Sequence, residues 1–263
     1  MKKSGLVLII GVIVIIVLAV ALALKKAPEQ AAAPGNEAQE ELPVLKVGCD
    51  VAFPPFEWQD EQTGEFKGFD IELIQAIAKQ MGMRAEIINT AWDGILPGLL
   101  NGNYDVIVSA MTITDERAQS VNFSDPYFTA GQVIVVRKDT EGITQPSDLK
   151  GKKVSVQINT TGDFAASKIE GIGEVKRFNL APDAFLELKN GAVDACIMDI
   201  AVASDAVKND DSLKIVGAPF TVEYYGIAMR KDREDLLKNI NKALATLKST
   251  GEYDEIYAKY FGQ

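Results

Sequence analysis

The sequence predicts an α/β protein of two lobes, each a mainly parallel sheet flanked by helices. Three observations carry that prediction. Apolar, β-prone runs alternate with stretches of helical period between residues 44 and 198, the order that builds parallel sheets covered by helices. The stretch Leu99 to Ala110, LLNGNYDVIVSA, aligns without a gap with Leu188 to Asp199, LKNGAVDACIMD. Both read helix, Asn-Gly stop, two residues, Asp, apolar strand. A second rhyme in the same order pairs Lys46–Asp50 (KVGCD) with Lys153–Gln157 (KVSVQ), so the architecture is written twice.

The elements follow in chain order. Val44 to Cys49 is a short strand. Asp70 caps a helix whose Leu73, Ile74, Ile77, Ala78 and Met81 share one face, and Gly82 ends it. Ala85 to Ile88 is a strand, Asp93 opens a helix running to Gly102, and Asp105 to Val108 is the next strand. Thr112, three residues ahead of Asp115, reads as a further helix start. The second set begins with the β-prone run Gln132–Arg137 and a strand at Val154–Val156. Thr161 or Asp163, the latter also read as a cap, starts a helix. A strand at Val175–Phe178, a helix at Pro182–Asn190 and a strand at Ala195–Met198 complete the set. The tail is helical, with one stripe from Leu236 to Leu247, a stop at Gly251 and an aromatic stripe at Tyr253, Tyr257, Tyr260 and Phe261. These stripes are read as packing faces.

Composition removes several classes of function. The 263 residues contain no histidine, so no Ser-His or Cys-His nucleophile is possible and the commonest metal ligand is missing. The two cysteines, Cys49 and Cys196, sit in apolar runs and fit no zinc pattern. A net charge of −10 argues against nucleic acid, whose binding rests on neutralising phosphates.

The N-terminus carries an address. Lys2-Lys3 precede an uncharged, mostly apolar run from Gly5 to Leu24, closed by Lys25-Lys26. As a helix this run is about 30 Å long, enough to span a bilayer. Residues 1–26 are therefore a signal peptide, with small residues at Ala19–Ala23 for cleavage, or a retained membrane anchor. Residues 27–42, polar and with two prolines, read as a flexible tether. Either way the expectation is export, to the periplasm or the outer face of the cytoplasmic membrane.

Strand ends are where open α/β sheets bind ligands. Here they offer Asp50, Ser109-Ala110, Gln157 and Asp199. Thr112 and Arg117 lie just beyond Ser109, and Thr161 stands at a helix start. A guanidinium grips both oxygens of a carboxylate, a helix N-terminus adds N–H groups and positive dipole, and Asp199 accepts an ammonium. A cation and an anion aimed at one pocket describe the two poles of an amino acid. Phe53 and Trp92 would sandwich its side chain, and Asp50 would reach the far end.

Several motifs give the chain a family likeness. They are Phe53-Pro54-Pro55-Phe56-Glu57, Gly68-Phe69-Asp70-Ile71-Glu72-Leu73, Trp92-Asp93-Gly94-Ile95-Leu96-Pro97 and Thr112-Ile113-Thr114-Asp115-Glu116-Arg117. Asn122-Phe123-Ser124-Asp125-Pro126-Tyr127, Gln157 with Thr160-Thr161-Gly162-Asp163, and Glu223-Tyr224-Tyr225-Gly226 extend the match over residues 44–262. The chain resembles the periplasmic-type amino-acid-binding proteins of ABC transporters (solute-binding protein family 3), in the polar and basic amino-acid group. That resemblance implies a type II periplasmic binding protein fold with a two-segment hinge. Lobe 1 would be residues 43–131 with 221–263 and lobe 2 residues 132–220, with crossings at Gln132–Arg137 and near Gly217–Tyr225. It also implies Arg117, helped by Thr112 and the backbone near Thr161, for the α-carboxylate. Asp199 and the carbonyl of residue 110 would take the α-ammonium, Phe53 and Trp92 the walls, and Asp50 the side-chain end. One departure is Ala110, where many members carry glycine. Glu57 is read as a solvated or wall charge, and Asp93, like Asp70, as a cap.

The resulting expectation is an extracytoplasmic substrate-binding protein that closes around one L-amino acid and hands it to an ABC permease. A basic side chain (arginine, lysine or histidine) comes first, because Asp50 is acidic and Trp92 offers a cation–π face; glutamine is the alternative. The chain is expected to be a monomer and not an enzyme, with no catalytic residue, metal or cofactor assigned. A dehydratase on the same fold and a sensory ectodomain are the competing classes.

Overall fold

The computed structural model describes residues 42–262. The signal or anchor expected at 1–26 and the tether up to residue 41 lie outside the described residues. Among the described residues no helix is long and apolar enough to cross a membrane.

Each lobe is built on a five-stranded sheet. The first has the order Arg84–Asn89, Val44–Cys49, Val106–Ile107, Ala228–Arg230, Val121–Phe123. The second has the order Glu174–Phe178, Lys153–Gln157, Ala195–Asp199, Gln132–Arg137, Leu213–Val216. In both, the first three strands are parallel, because a helix fills each crossover between them. Helices Phe69–Gln80 and Trp92–Leu100 do this in the first lobe, Thr161–Lys168 and Ala181–Lys189 in the second. The fourth strand of each sheet is antiparallel to both neighbours.

The internal repeat is a repeated hydrogen-bond device. Gly102 and Gly191 follow their helices at φ 79° and 73°, a conformation that favours glycine. Three residues on, the carboxylate of Asp105 accepts the Lys46 N–H at 3.0 Å, and that of Asp194 accepts the Lys153 N–H at 2.8 Å. Each aspartate N–H donates back to the same lysine's carbonyl, at 2.9 and 2.8 Å. The register that follows is equivalent, Val47 beside Val106 and Val154 beside Ala195. Two adjacent strand ends therefore face the same way in each lobe.

Packing follows the apolar stripes. Leu73, Ile74 and Ile77 of helix Phe69–Gln80 are fully buried, as are Ile240 and Leu247 of helix Glu234–Thr250, each contributing about 1.5–3 kcal/mol. Gly251, at φ 86°, stops that helix, and Glu252–Phe261 turns back to pack on Phe69–Gln80. There Phe69 meets Tyr253, Tyr257 and Phe261 edge-on.

Five local expectations are corrected. The link between the sheets is a two-stranded antiparallel ribbon, Phe128–Ala130 with Glu223–Tyr225, whereas Gln132–Arg137 lies inside the second sheet. The chain changes sheet at Gly131, where a Cβ would meet the Thr221 carbonyl at 2.4 Å. Asp70 does not cap its helix: Gly68 holds the cap position and the Asp70 side chain turns into the core. Nor does Asp93 cap, since Ala91 precedes that helix; Thr160, not Asp163, caps the helix at Thr161, its hydroxyl accepting the Asp163 N–H. Thr114 rather than Thr112 caps helix Asp115–Ser120, through the Arg117 N–H at 3.2 Å.

Candidate functional site

The four strand ends meet across the cleft between the lobes. There they line a pocket that holds all ten residues singled out in the sequence: Asp50, Phe53, Trp92, Ser109, Ala110, Thr112, Arg117, Gln157, Thr161 and Asp199. Glu57 and Thr160 complete the lining. Asp50 and Gln157 are equivalent positions of the repeat, and they touch: the Gln157 amide donates to the Asp50 carboxylate at 2.8 Å.

The positive pole is Arg117. Its helix is short and its side chain buried, with Nη1 donating to the Thr112 carbonyl at 2.8 Å and Nη2 to the Asn159 carbonyl at 3.5 Å. The guanidinium carbon lies 5.3 Å from the centre of the Trp92 ring, so the indole is a shelf for the arginine as well as a wall of the pocket. Trp92 Nε1 donates across the cleft to the same Asn159 carbonyl at 3.2 Å. Asn159 stands at φ 58°, a conformation asparagine tolerates, which turns its carbonyl towards the first lobe. The N-terminus of helix Thr161–Lys168 adds its positive end nearby.

Two negative groups face the other way. Asp199 is 6% exposed and accepts the Tyr225 hydroxyl at 2.5 Å. Burial, and then the charge of Glu223, push its carboxyl up to about 6, against the Tyr225 and Gln132 hydrogen bonds. Asp50 is also raised to about 6 by burial, with Gln157 opposing and Asp93 adding. These are carboxylates held in a place that favours a cationic partner.

Beneath them lies a second acidic pair. Glu57 is fully buried and accepts the Ser109 hydroxyl at 2.7 Å, while Ser109 Oγ accepts the Asp50 N–H at 3.0 Å. Asp70, equally buried, accepts the Ala110 N–H and the Tyr127 hydroxyl, both at 2.7 Å. The remaining oxygens, Glu57 Oε2 and Asp70 Oδ1, are buried without a hydrogen-bond partner among the described residues. Burial first, then Asp70's charge, drive Glu57 well above the usual range; Asp70 rises to about 7, again through burial. Of the two places expected for Glu57, solvent or the pocket wall, the structure gives the second: it is fully buried and lines the pocket. Ala110, held by this pair, sits at φ 44°. The left-handed region costs a non-glycine residue about 1 kcal/mol or more, and glycine avoids that cost.

Three nearby residues carried no role in the sequence reading. Asn159 bridges the lobes through its carbonyl. Glu223 and Gln132 lie behind Thr161, the Thr161 hydroxyl donating to Glu223 at 2.7 Å and the Gln132 amide to Thr161 at 3.3 Å. The only trace of Glu223 in the sequence is its place in the Glu-Tyr-Tyr-Gly run. Among the described residues no group of Cys, Asp and Glu side chains is arranged to hold a metal ion.

A two-lobed α/β fold with an interlobe pocket of this kind defines a solute-binding protein. Residues 45–263 match the bacterial extracellular solute-binding proteins, family 3, and the chain belongs to that family. It is 41% identical over 245 residues to a protein named probable histidine-binding protein from Neisseria gonorrhoeae, covering 91% of this chain and 88% of that one. It is also similar to the solved structure of an ancestral arginine-binding protein bound to glutamine, with TM-score 0.81 and 48% identity, covering 84% of this chain and 98% of the other. An ancestral arginine-binding protein bound to arginine gives TM-score 0.80 and 48% identity, with coverages of 83% and 98%.

Proposed function

We propose that this chain is the extracytoplasmic receptor of an amino-acid ABC transporter and takes one L-amino acid with a basic side chain. The observation that carries the reading is the separation of charge in one pocket: a single guanidinium at one end, with Asp199 and Asp50 as separate acidic groups. A zwitterion uses the first two. The acidity left over at Asp50 suits a second positive charge on the ligand, which arginine, lysine and histidine supply. Relatives named for histidine, for arginine and for glutamine accord with this choice and keep glutamine as the second reading, since Asp50 also accepts from an amide.

In this account residues 43–131 with 221–263 form one jaw and residues 132–220 the other, and the ribbon Phe128–Ala130/Glu223–Tyr225 is the hinge. Binding draws the jaws together and removes water, which strengthens every charged contact inside. Residues 1–26 deliver the protein outside the cytoplasm as a cleaved signal or hold it to the membrane as an anchor, and the closed monomer docks on permease subunits. The pocket's acids act by holding charge, with no turnover of the ligand. Calorimetric titration with each of the twenty L-amino acids tests the reading. Arginine, lysine or histidine should bind tightest, with glutamine next; tightest binding of aspartate or glutamate overturns it.

A further inference from the structure

Glu223 has a position that the pocket alone does not explain. It pairs with Ala130 in the ribbon that joins the lobes, is 8% exposed, and its side chain reaches both jaws. From the first lobe the Thr112 hydroxyl donates to Oε2 at 2.9 Å, and from the second the Thr161 hydroxyl donates to the same oxygen at 2.7 Å. The Gln132 amide, at the first residue of the second sheet, approaches Oε2 at 3.5 Å. Oε1 accepts the Thr221 hydroxyl at 2.9 Å, and Thr221 Oγ in turn accepts the Gln132 N–H at 2.8 Å. Thr112 and Thr161 stand 3.4 Å apart, oxygen to oxygen, directly across the cleft.

We infer that Glu223 is the latch of the closed form: a hinge carboxylate that ties Thr112 of one lobe to Thr161 of the other and thereby sets how firmly the cleft stays shut. Separating the jaws moves the two threonines apart, so one carboxylate oxygen loses at least one of its donors on opening. A second consequence concerns direction. A carboxylate is only an acceptor, so each threonine spends its single hydroxyl proton on Glu223. The two hydroxyls are thereby held in one orientation, while Arg117 and backbone N–H groups are left to donate to the carboxylate. Glu223 is therefore a positioning residue, acting through two threonines.

This inference rests on the proposed closure around an amino acid, and the test separates the two. Wild type, Glu223→Ala and Glu223→Gln each receive a fluorescent pair at Gln62→Cys and Asn209→Cys, exposed residues bordering one groove between the lobes; the native Cys49 and Cys196 are buried. The interlobe distance is read with and without L-arginine, alongside calorimetry and stopped-flow dissociation. A charge-assisted hydrogen bond lost from the closed form corresponds to roughly a 10- to 100-fold weaker Kd. Glu223→Ala should show that loss, carried by faster release, with a wider interlobe distance in both states. Glu223→Gln keeps one acceptor oxygen and should fall between. A merely structural role would lower the melting temperature without moving the distance or the release rate. Wild-type affinity, distance and release in Glu223→Ala overturn the latch. Should wild type take up no amino acid, the reading of the pocket fails. The unliganded distance then decides the latch, a wider value in Glu223→Ala supporting it and an equal one overturning it.

Discussion

Replacing Asp199 by asparagine should push affinity and stability in opposite directions. The change preserves shape and leaves an amide oxygen for the Tyr225 hydroxyl, but removes the charge. Without ligand, that charge is unfavourable: burial and Glu223 raise the carboxyl from 3.8 to about 6. At about 1.4 kcal/mol per pH unit this is about 3 kcal/mol of destabilisation at pH 8. Weakening of the Tyr225 bond returns about 1 kcal/mol, so the unliganded variant should gain about 2 kcal/mol and melt several degrees higher. With ligand the sign reverses. Truncating one partner of a buried, hydrogen-bonded charge pair costs about 2–5 kcal/mol, roughly a 30- to 4,000-fold loss of affinity. Calorimetric titration with L-arginine and a thermal melt of the ligand-free protein, both at pH 8, read the two halves. A variant that binds like wild type, or one whose ligand-free form melts lower, would refute the reasoning.

Other perturbations follow from the same geometry. Arg117→Lys keeps the charge but loses the planar fork and its stacking on Trp92, so affinity should fall by about 2–3 kcal/mol, readable by the same titration. Glu57→Gln should be nearly neutral, because burial pushes the Glu57 carboxyl towards its uncharged form and an amide presents the same acceptor to Ser109. Glu57→Ala should cost about 2–4 kcal/mol in chemical denaturation by opening a cavity and stranding the Ser109 hydroxyl; equal losses in the two variants would show Glu57 to be charged. Acidity should also separate binding from stability. Asp50 and Asp199, at about 6, and Asp70, at about 7, lie above their unfolded value of 3.8. The folded form therefore holds more protons than the unfolded chain between these values, and ligand-free stability falls as pH rises through that window. Affinity for arginine needs the charged carboxylates and should instead weaken as pH drops below about 6. Melts and titrations at pH 5 and pH 8 check both signs.

The sequence exposed the parts of this molecule that depend on neighbours in the chain. Helix stripes such as Leu73, Ile74 and Ile77 are periodic and end at glycines, so their helices are visible locally. The repeat was legible because the same Asp-to-Lys staple recurs at Asp105 and Asp194, each time serving the same register. The strand ends that meet in the pocket followed from that repeat. What escaped depends on distant partners. Asp70 has the local look of a helix cap, yet its carboxylate is claimed by Ala110 and Tyr127, 40 and 57 positions away. Glu57 reads as a surface charge until Ser109, 52 positions on, is placed against it. The Glu223 contact to Thr112 spans 111 positions, and the strands Val121–Phe123 and Ala228–Arg230 are too short to announce themselves without each other. Thr112 and Thr114 are both plausible caps by spacing, and only the Arg117 N–H chooses between them.

The proposed function requires one pocket to grip an amino acid by both poles while Asp50 takes a cationic side chain. Titration of the wild-type protein with L-arginine and with agmatine, the same molecule lacking its carboxylate, addresses it most directly. L-arginine should bind one-to-one, and agmatine at least 100-fold more weakly, the scale of losing a charge-assisted fork to Arg117. Equal binding of the two would contradict the account.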